Sequence, residues 1–328
     1  MKRLLATSTK VRTGYCRAPG AASWAGVCVA SCMFSLVSAS AAAEDEPTAS
    51  KTSFSADIAV GGEYDSNVSV EEVDAAISES DYAFTFDVGV GMRQQFTERA
   101  DLGLSYDFSL SKYHEFSQVD RATHLLGADF AFDFDKVDSN LSVFYVHSRL
   151  DGEEFLELLR VSPALAGFIS KKWYARGAYV YSDKSITQRP ERDAETHAGE
   201  GDLYFFRRGL RSYFNFGYKY KDEDAVAARL DYTSHSFKLR YIHRLEVLSR
   251  ITKLELAWRY EDRDYRSITP SIGEERRDKR NRWRADYEIP VWRAGAVQIY
   301  YSYADYDSNY EPVDYNQTIA GARFVYRW

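Results

Sequence analysis

The chain has 328 residues, a formal net charge of −7 and a mean hydropathy of −0.46, so it is acidic and polar overall. An acidic chain has the wrong sign of charge for a nucleic-acid partner. Tyrosine (25) and phenylalanine (19) are nevertheless abundant. Apolar residues must therefore alternate with polar ones, which favours β-strands over long apolar runs.

The first forty or so residues differ in kind from the rest of the chain. Several lysines and arginines precede an apolar stretch from Ala21 to Val37, and a run of small residues ends at Ala43. This order predicts a cleaved signal peptide at residues 1–43, followed by a short periplasmic segment at 44–52. No later run approaches the roughly 20 apolar residues of a membrane helix, so a position in a membrane would require a β-barrel.

From residue 53 onward, segments of about ten residues alternate between apolar and polar side chains. Phe84, Phe86 and Val88 share one face of the second segment, and Thr85 and Asp87 lie on the other. The pattern predicts an all-β fold, a transmembrane antiparallel up-and-down barrel of about 14 strands over residues 53–328. The fifth, sixth and eighth segments are weaker, so 12 strands is the alternative. The segments start near residues 53, 81, 99, 121, 139, 155, 172, 195, 209, 232, 250, 278, 295 and 315.

The connections between these segments alternate in length. Short turns are predicted at one end of the barrel, and long polar loops at 66–81, 183–197, 221–231 and 261–279 at the other. Short periplasmic turns and long external loops are typical of outer-membrane barrels. We therefore expect the outer membrane of a Gram-negative bacterium, with outer-membrane lipid around the barrel and both termini on the periplasmic side.

The chain ends on an aromatic residue after a strongly alternating strand. Phe324, Tyr326 and Trp328 would face lipid, and Arg323 and Arg327 would point inward. This ending resembles the signal by which outer-membrane barrels are delivered to the barrel-assembly machinery, which is therefore an expected partner. An ordinary soluble edge strand of this kind would expose a long apolar edge to aggregation.

The polar face of each strand should line the lumen, so its charges can be sorted around the wall. An acidic wall would then face a mainly basic one and set charge selectivity. The alternative is that these charges pair with one another, or with a plug, and only solvate the interior. The acidic candidates are Asp87, Asp107, Asp129 and Asp133, and the basic ones are Lys238, Arg240, Arg259, Arg282 and Arg284.

One short motif, YDSN, occurs at residues 64–67 and again at 306–309. Both copies are expected at the outer rim, close together, where Asp and Asn favour turns. Two carboxylates with Asn carbonyls could instead hold calcium, although no metal is the main expectation. The motif residues are Tyr64, Asp65 and Asn67 in the first copy, and Tyr306, Asp307 and Asn309 in the second.

The stretch GGEYDSNV (61–68), the acidic loop after it and the closing segment 300–328 suggest a family. They resemble the barrels of surface lipoprotein assembly modifiers and porin-like barrels encoded beside exopolysaccharide export genes. The resemblance implies a barrel that moves polypeptide or polysaccharide across the outer membrane.

The leading functional hypothesis is a pore or translocation element for polar cargo, either solutes, polysaccharide or polypeptide. An exported polymer or a surface protein would be its partner. A surface-exposed structural or binding barrel with a blocked lumen is the first alternative, and an outer-membrane hydrolase the second. Because the six histidines are scattered and no G-x-S-x-G stretch occurs, we predict no catalytic site, no cofactor and no metal.

Overall fold

The structure is a computed structural model that describes residues 51–328; the signal peptide predicted at 1–43 lies outside the described residues. Within them the chain forms sixteen strands. The strands are β1 Lys51–Asp65, β2 Ser69–Val70, β3 Ala75–Ala76, β4 Asp81–Gln95, β5 Ala100–Tyr113, β6 Arg121–Asp133, β7 Asp138–Leu150, β8 Glu153–Ser170, β9 Trp173–Ile186, β10 Ala194–Phe206, β11 Ser212–Ala225, β12 Tyr232–Val247, β13 Arg250–Thr269, β14 Glu274–Pro290, β15 Gly295–Ser308 and β16 Tyr315–Arg327.

Five single-turn 3₁₀ helices lie in the connections. None of the helices in residues 51–328 is long and apolar enough to cross a membrane. The helices are η1 Glu71–Val73, η2 Ser117–Val119, η3 Pro190–Arg192, η4 Ala228–Leu230 and η5 Glu311–Val313.

Fourteen of the strands close into one barrel. Each pairs antiparallel with its neighbours along the chain, and β16 pairs back onto β1, which also pairs with β4. The two short strands β2 and β3 form a separate sheet inside the connection from β1 to β4. The predicted 14-strand antiparallel barrel is therefore confirmed, and 12 strands is wrong.

The three weak segments are complete strands, namely β7, β8 and β10. The pairing of β8 with β9 is interrupted between Val161 and Ala164, where Pro163 has no N–H to donate. A register shift against β7 lies between Ser148 and Arg149. At this bulge the consecutive residues Phe155 and Leu156 are both buried.

The two faces of the wall follow the alternation read from the sequence. Phe84 and Val90 on β4 are 48% and 46% exposed on the outer surface, whereas Asp87 between them is 8% exposed. Because each residue pairs with one on the same face of the next strand, this division continues around the barrel. Where the strands alternate in this way, the apolar residues form the outer surface and the charged ones line the lumen.

The two ends of the barrel differ less in their connections than the sequence predicts. We call the end that carries both chain termini the turn end, and the opposite one the loop end. At the loop end, strands extend into the predicted loops at 183–197 and 221–231 and take up most of the one at 261–279, where β13 and β14 are joined only by residues 270–273. A span needs about 9–11 residues, so these strands extend beyond the membrane. The sequence predicts loops there because these stretches are charged on both faces. A strand above the bilayer can also be polar on both faces, since neither face meets lipid.

Candidate functional site

The connection from β1 to β4 folds into the barrel mouth. We call residues 66–80 the lumen loop. It is a small hairpin: Val68 N–H donates to the Glu79 carbonyl at 3.0 Å, and Ile77 N–H donates to the Val68 carbonyl at 2.9 Å. Asp74 ends the turn at its tip with φ of 52°, a left-handed conformation that Asp tolerates. The tip therefore presents an acidic segment, Glu71 to Asp74, to the lumen.

One side of the lumen loop is apolar and buried. Val68 and Val70, 0% and 5% exposed, pack in one cluster with Phe155, Leu156 and Ile186 of the wall. Burying such side chains stabilises each by about 1.5–3 kcal/mol relative to leaving it exposed. The loop is therefore packed against the wall formed by β8 and β9.

The carboxylates at the tip bind arginines on both sides of the mouth. Glu72 accepts two hydrogen bonds from Arg121 of β6, at 2.8 and 3.1 Å. Asp74 accepts two from Arg276 of β14, at 2.9 and 3.1 Å, and another from Arg192 at 2.7 Å. Paired guanidinium and carboxylate groups of this kind are both strong and directional. The loop is thereby tied to walls that lie apart around the barrel.

Glu71 completes the docking on β14. It lies 3.0 Å from Arg282 and 3.5 Å from Arg280, and it accepts a hydrogen bond from the Tyr306 hydroxyl. Burial alone would raise the pKa of Glu71, but these two guanidinium groups and the hydroxyl lower it below its usual range. Burial likewise opposes the charge on Asp74, yet Arg276 and Arg192 hold the pKa of Asp74 well below its usual range. Both carboxylates are therefore ionised while the loop is docked.

The first YDSN copy holds the base of the lumen loop. Asn67 N–H donates to Asp65 at 3.0 Å, which is the predicted Asx-type turn. Asn67 also accepts a hydrogen bond from Ser78 N–H at 3.0 Å. Gln317 of β16 donates to both oxygens of Asp65 and to the Asn67 carbonyl. These bonds fix the two ends of the loop to the rim.

In the second YDSN copy, the side chains point to the opposite faces of the wall from those in the first. Tyr306 is 3% exposed and inward, whereas Tyr64 lies on the outer face, with its ring 5.3 Å from that of the exposed Tyr82. Asp65 is buried and Asp307 is exposed, so the two carboxylates lie on opposite faces of the wall. Carboxylates on opposite faces of the wall cannot bind one ion, so a calcium site shared by the two copies is excluded.

Asn309 has a local role at the loop end. It accepts from Arg277 N–H at 2.9 Å, and it donates to the Glu274 side chain at 3.1 Å and to the Glu275 carbonyl at 3.0 Å. It thereby ties the start of β14 to β15. The two copies of the motif thus support the loop base and the strand on which the loop tip docks.

A charged cavity of about 130 Å³ lies below the tip of the lumen loop. We call it the basic cavity. Eight basic and five acidic side chains line it, and three of the five acidic ones belong to the lumen loop. Its charged lining consists of Arg160, Lys184, Arg192, Lys219, Lys221, Arg259, Arg263 and Arg280, with Glu71, Glu72, Asp74, Glu223 and Glu261.

The basic selectivity candidates lie on the inner wall in contact with acidic groups. Lys238 pairs with Asp202 at 2.7 Å, across the inward glycine of β11. Arg240 pairs with Glu255 of the next strand. These contacts match the alternative that the charges pair and solvate the interior. Selectivity itself stays a prediction.

The other basic candidates lie nearer the docked loop. Arg284 pairs with Asp286 at 2.8 Å along β14, Arg282 pairs with Glu71, and Arg259 lines the basic cavity. Only Arg282 and Arg259 therefore adjoin the lumen loop or the cavity beneath it.

The acidic candidates fall into two groups. Asp87 pairs with Arg323 of β16 at 3.0 Å, and Asp107 lies close to Asp57 on either side of Gly89. Asp129 and Asp133 lie further toward the turn end, where Asp129 accepts from Ser142, and Asp133 accepts from the turn residue Asp135. The structure does not bring all four together.

The closing strand has the predicted orientation. Arg323 is 8% exposed and inward, whereas Trp328 is 67% exposed on the outside. The Trp328 N–H donates to the Ala56 carbonyl at 2.9 Å, and its ring meets Tyr326 edge-on at 4.8 Å. Whether Phe324, Tyr326 and Trp328 are read by the assembly machinery stays a prediction.

The residues that dock the lumen loop were not singled out from the sequence. One signal was available: Val68, Val70, Val73 and Ile77 recur within the acidic loop. An exposed loop has no need of apolar residues at this spacing, so they indicate packing. The missed residues are Glu71, Glu72, Asp74, Arg121, Arg192, Arg276 and Arg280.

Fold and site together define the class: a 14-stranded outer-membrane β-barrel with a charged lumen and a loop docked in its mouth. The family model of the surface lipoprotein assembly modifiers matches residues 54–320, which includes every barrel strand in whole or in part. The chain belongs to this family, as the resemblance of its two ends indicated.

Solved structures share the fold at low sequence identity. An anion-selective porin from Comamonas acidovorans is 7% identical, with 85% of this chain and 100% of that chain covered and a TM-score of 0.50. In-vitro folded OmpT, an outer membrane protein of Vibrio cholerae, is 9% identical, with 86% and 99% covered and a TM-score of 0.50. No curated protein sequence matches the chain. At these identities the structures establish only that the barrel is porin-like.

Proposed function

We propose that the protein is a gated passage or translocation element of the outer membrane, through which polar cargo moves when the lumen loop leaves the barrel mouth. One observation carries the proposal: a segment that contacts the wall on both sides of the mouth lies across it, and its tip is held by ion pairs. When the tip leaves, the charged groups of these ion pairs can be hydrated or can pair with other charges, whereas a core of apolar side chains filling the lumen could not.

The lining below the loop supports passage of polar cargo. Inward residues along β13 and β14 are charged, including Arg263, Arg280 and Asp278. A charged, hydrated wall offers polar cargo a path that the membrane does not. The description of the family, surface lipoprotein assembly modifier, favours a polypeptide among the possible cargoes.

The orientation and the partners belong to the same proposal. The turn end with both termini would face the periplasm, and the loop end would face outward. Outer-membrane lipid would surround the apolar band, and the barrel-assembly machinery would insert the chain. An exported polymer or a surface protein would be the cargo.

Single-channel conductance in a planar bilayer tests the proposal. The unaltered barrel, residues 44–328, is compared with a barrel in which residues 69–76 are replaced by Asn-Gly, a turn that suits a two-residue hairpin. Val68 and Ile77 are already hydrogen-bonded across this point, so the shortened loop can close without strain. We expect rare or no openings for the unaltered barrel, and stable openings for the shortened one.

A charge-neutral variant is the second arm. Glu71→Gln with Asp74→Asn should also open the barrel, because Arg276 and Arg280 lose their anionic partners on the loop and keep only Asp278 of the wall. Glu79→Gln is the matched control: it changes an exposed carboxylate of the same loop and should leave the barrel closed.

Silence of both the shortened and the neutral barrel, with correct folding, would reject a passage. It would favour the blocked structural or binding barrel instead. The expectation that the protein is not an enzyme stays a prediction, and hydrolysis by the folded barrel of a lipid or peptide substrate would contradict it.

A further inference from the structure

We infer that the basic cavity and the β14 arginines form a binding site for an acidic polypeptide segment, which the lumen loop occupies as an internal substitute. The inference rests on the proposed gated passage and specifies the chemistry of its ligand. The segment would present three carboxylates on one short turn, in the pattern Glu-Glu-x-Asp.

The charge of the site changes sharply when the loop leaves. With the loop docked, eight basic side chains face five acidic ones in the lining; without it, only Glu223 and Glu261 of those five remain. Two further wall carboxylates lie close to the lining: Glu200 pairs with Arg160 and Lys219, and Asp278 pairs with Arg280, so the eight basic groups still outnumber their acidic partners. A concave, partly dry site with this excess of positive charge attracts anions strongly. The empty site is therefore poised to take up another acidic group.

Some N–H donors of the cavity arginines make no hydrogen bond to protein even with the loop in place. Among the described residues, Nε of Arg160, Arg259 and Arg280 is buried and makes no hydrogen bond to protein. Buried donors of this kind are costly unless something satisfies them. All three arginines line the basic cavity, so a ligand that reaches deeper than the loop tip would gain bonds that the loop does not make.

The present occupant indicates that the ligand is a polypeptide. The loop binds through two kinds of contact: carboxylates on arginine forks, and apolar side chains in the adjoining cluster with Phe155 and Ile186. The loop backbone also takes part, because Arg192 donates to the Glu72 carbonyl at 3.3 Å. A polysaccharide would supply the charges but neither the apolar side chains nor the peptide carbonyl.

The test uses the barrel with residues 69–76 replaced by Asn-Gly, because a tethered loop has a high effective concentration and would outcompete a free peptide. The probe is the fluorescently labelled peptide SVEEVDAA, the sequence of residues 69–76, and its binding is followed by anisotropy in detergent micelles. The control peptide is SVQQVNAA, which has the same shape without the charges. We expect the acidic peptide to bind at least about ten-fold more tightly, and increasingly weakly as salt is raised.

Variants locate the site. Arg276→Gln with Arg280→Gln in the shortened barrel should lower affinity for SVEEVDAA at least about ten-fold. Arg293→Gln changes an exposed arginine at the turn end and should leave affinity unchanged. Equal losses in both would mean non-specific attraction and would overturn the inference.

A second ligand class and the conductance readout complete the design. Polygalacturonate supplies carboxylates on a sugar backbone; if it binds as tightly as SVEEVDAA at equal charge, the site is not selective for polypeptide and the inference is wrong. If the shortened barrel conducts and SVEEVDAA blocks it more than SVQQVNAA does, the inference is supported.

A shortened barrel that conducts but binds both peptides alike rejects the inference and keeps the passage. A shortened barrel that binds SVEEVDAA selectively but never conducts keeps the site and rejects the passage.

Discussion

Each carboxylate at the tip of the lumen loop meets a guanidinium that is itself largely buried. The side chain of Arg276, for example, is 3% exposed, and that of Asp74 is 6% exposed. Removing one member of a buried pair costs about 3–5 kcal/mol where the other is left without a counter-charge. Here Arg276 would keep Asp278 and Asp74 would keep Arg192, so the loss of a single charge weakens the docked state by less than this.

The pH dependence of the barrel follows from these carboxylates. The docked loop holds the pKa of Glu71 and of Asp74 below their usual range, so docking is stabilised wherever the free carboxylates are ionised. This stabilisation is complete above the ordinary carboxyl range and is lost as pH falls through the lowered values. We expect a closed barrel from neutral pH to about pH 5, and openings below about pH 4, in a bilayer conductance titration.

The double variant Glu71→Gln with Asp74→Asn is the control for this titration. It should be open at neutral pH and should show no further rise on acidification from these groups. An unaltered barrel that opens between pH 6 and 8 would contradict the assignment, because neither carboxylate changes its charge in that range.

At the scale of the strands, an inward-facing glycine allows side chains of the two strands on either side of it to form an ion pair. Gly217 of β11 lies beneath the ion pair between Asp202 of β10 and Lys238 of β12. A Cβ at position 217 would lie 2.6 Å from the Lys238 side chain and 2.9 Å from Asp202. The glycine therefore allows two strands that do not pair with each other to be linked across a third.

This arrangement predicts a position-specific loss of stability. Gly217→Val should separate Lys238 from Asp202 and destabilise the barrel by about 1–3 kcal/mol, since the new side chain overfills the site. The measurement is the temperature at which the compact band on an electrophoresis gel converts to the unfolded one. Gly201→Val is the matched control: nothing lies within 4 Å of its Cβ position, and it should change that temperature little.

The closing strand carries a second prediction at this scale. Deletion of Trp328 removes the N–H that bonds the Ala56 carbonyl and the exposed aromatic ring at the end of β16. We expect a lower fraction of the chain to be inserted and heat-modifiable in outer-membrane preparations. Trp283→Ala removes an equally aromatic, 51% exposed side chain from mid-strand and should be inserted nearly normally. Equal insertion of both variants would refute a terminal signal.

For the molecule as a whole, the barrel could be predicted because its strands repeat one rule many times. Alternation with period two fixes which face is buried, and a closed barrel gives every strand the same two environments. Even the segment interrupted by Pro163 and the weak segment before it were counted as strands, because most of the other segments kept the alternation. An error in one segment is thus corrected by the others.

The site could not be predicted in the same way. The docking of Glu71 and Asp74 depends on contacts between residues about 200 positions apart, and no local pattern encodes which arginine meets which carboxylate. Arg276 lies in a stretch interpreted as a loop because its neighbours are charged on both faces. The sequence predicts pairing of lumen charges as an alternative, but it does not predict that the lumen loop supplies some of the paired carboxylates.

The charge of the whole lumen gives the final prediction, which applies to the barrel with residues 69–76 replaced by Asn-Gly. Removal of the loop removes three carboxylates from a mouth lined mainly by basic groups, so the open barrel should prefer anions. Arg240→Glu with Arg259→Glu should shift the reversal potential in a salt gradient toward cations. Arg207→Glu at the exposed turn end is the control and should shift it little. If the lumen pair and the turn-end control shift the potential equally, the inner wall does not set selectivity, and the charges serve only to pair with one another.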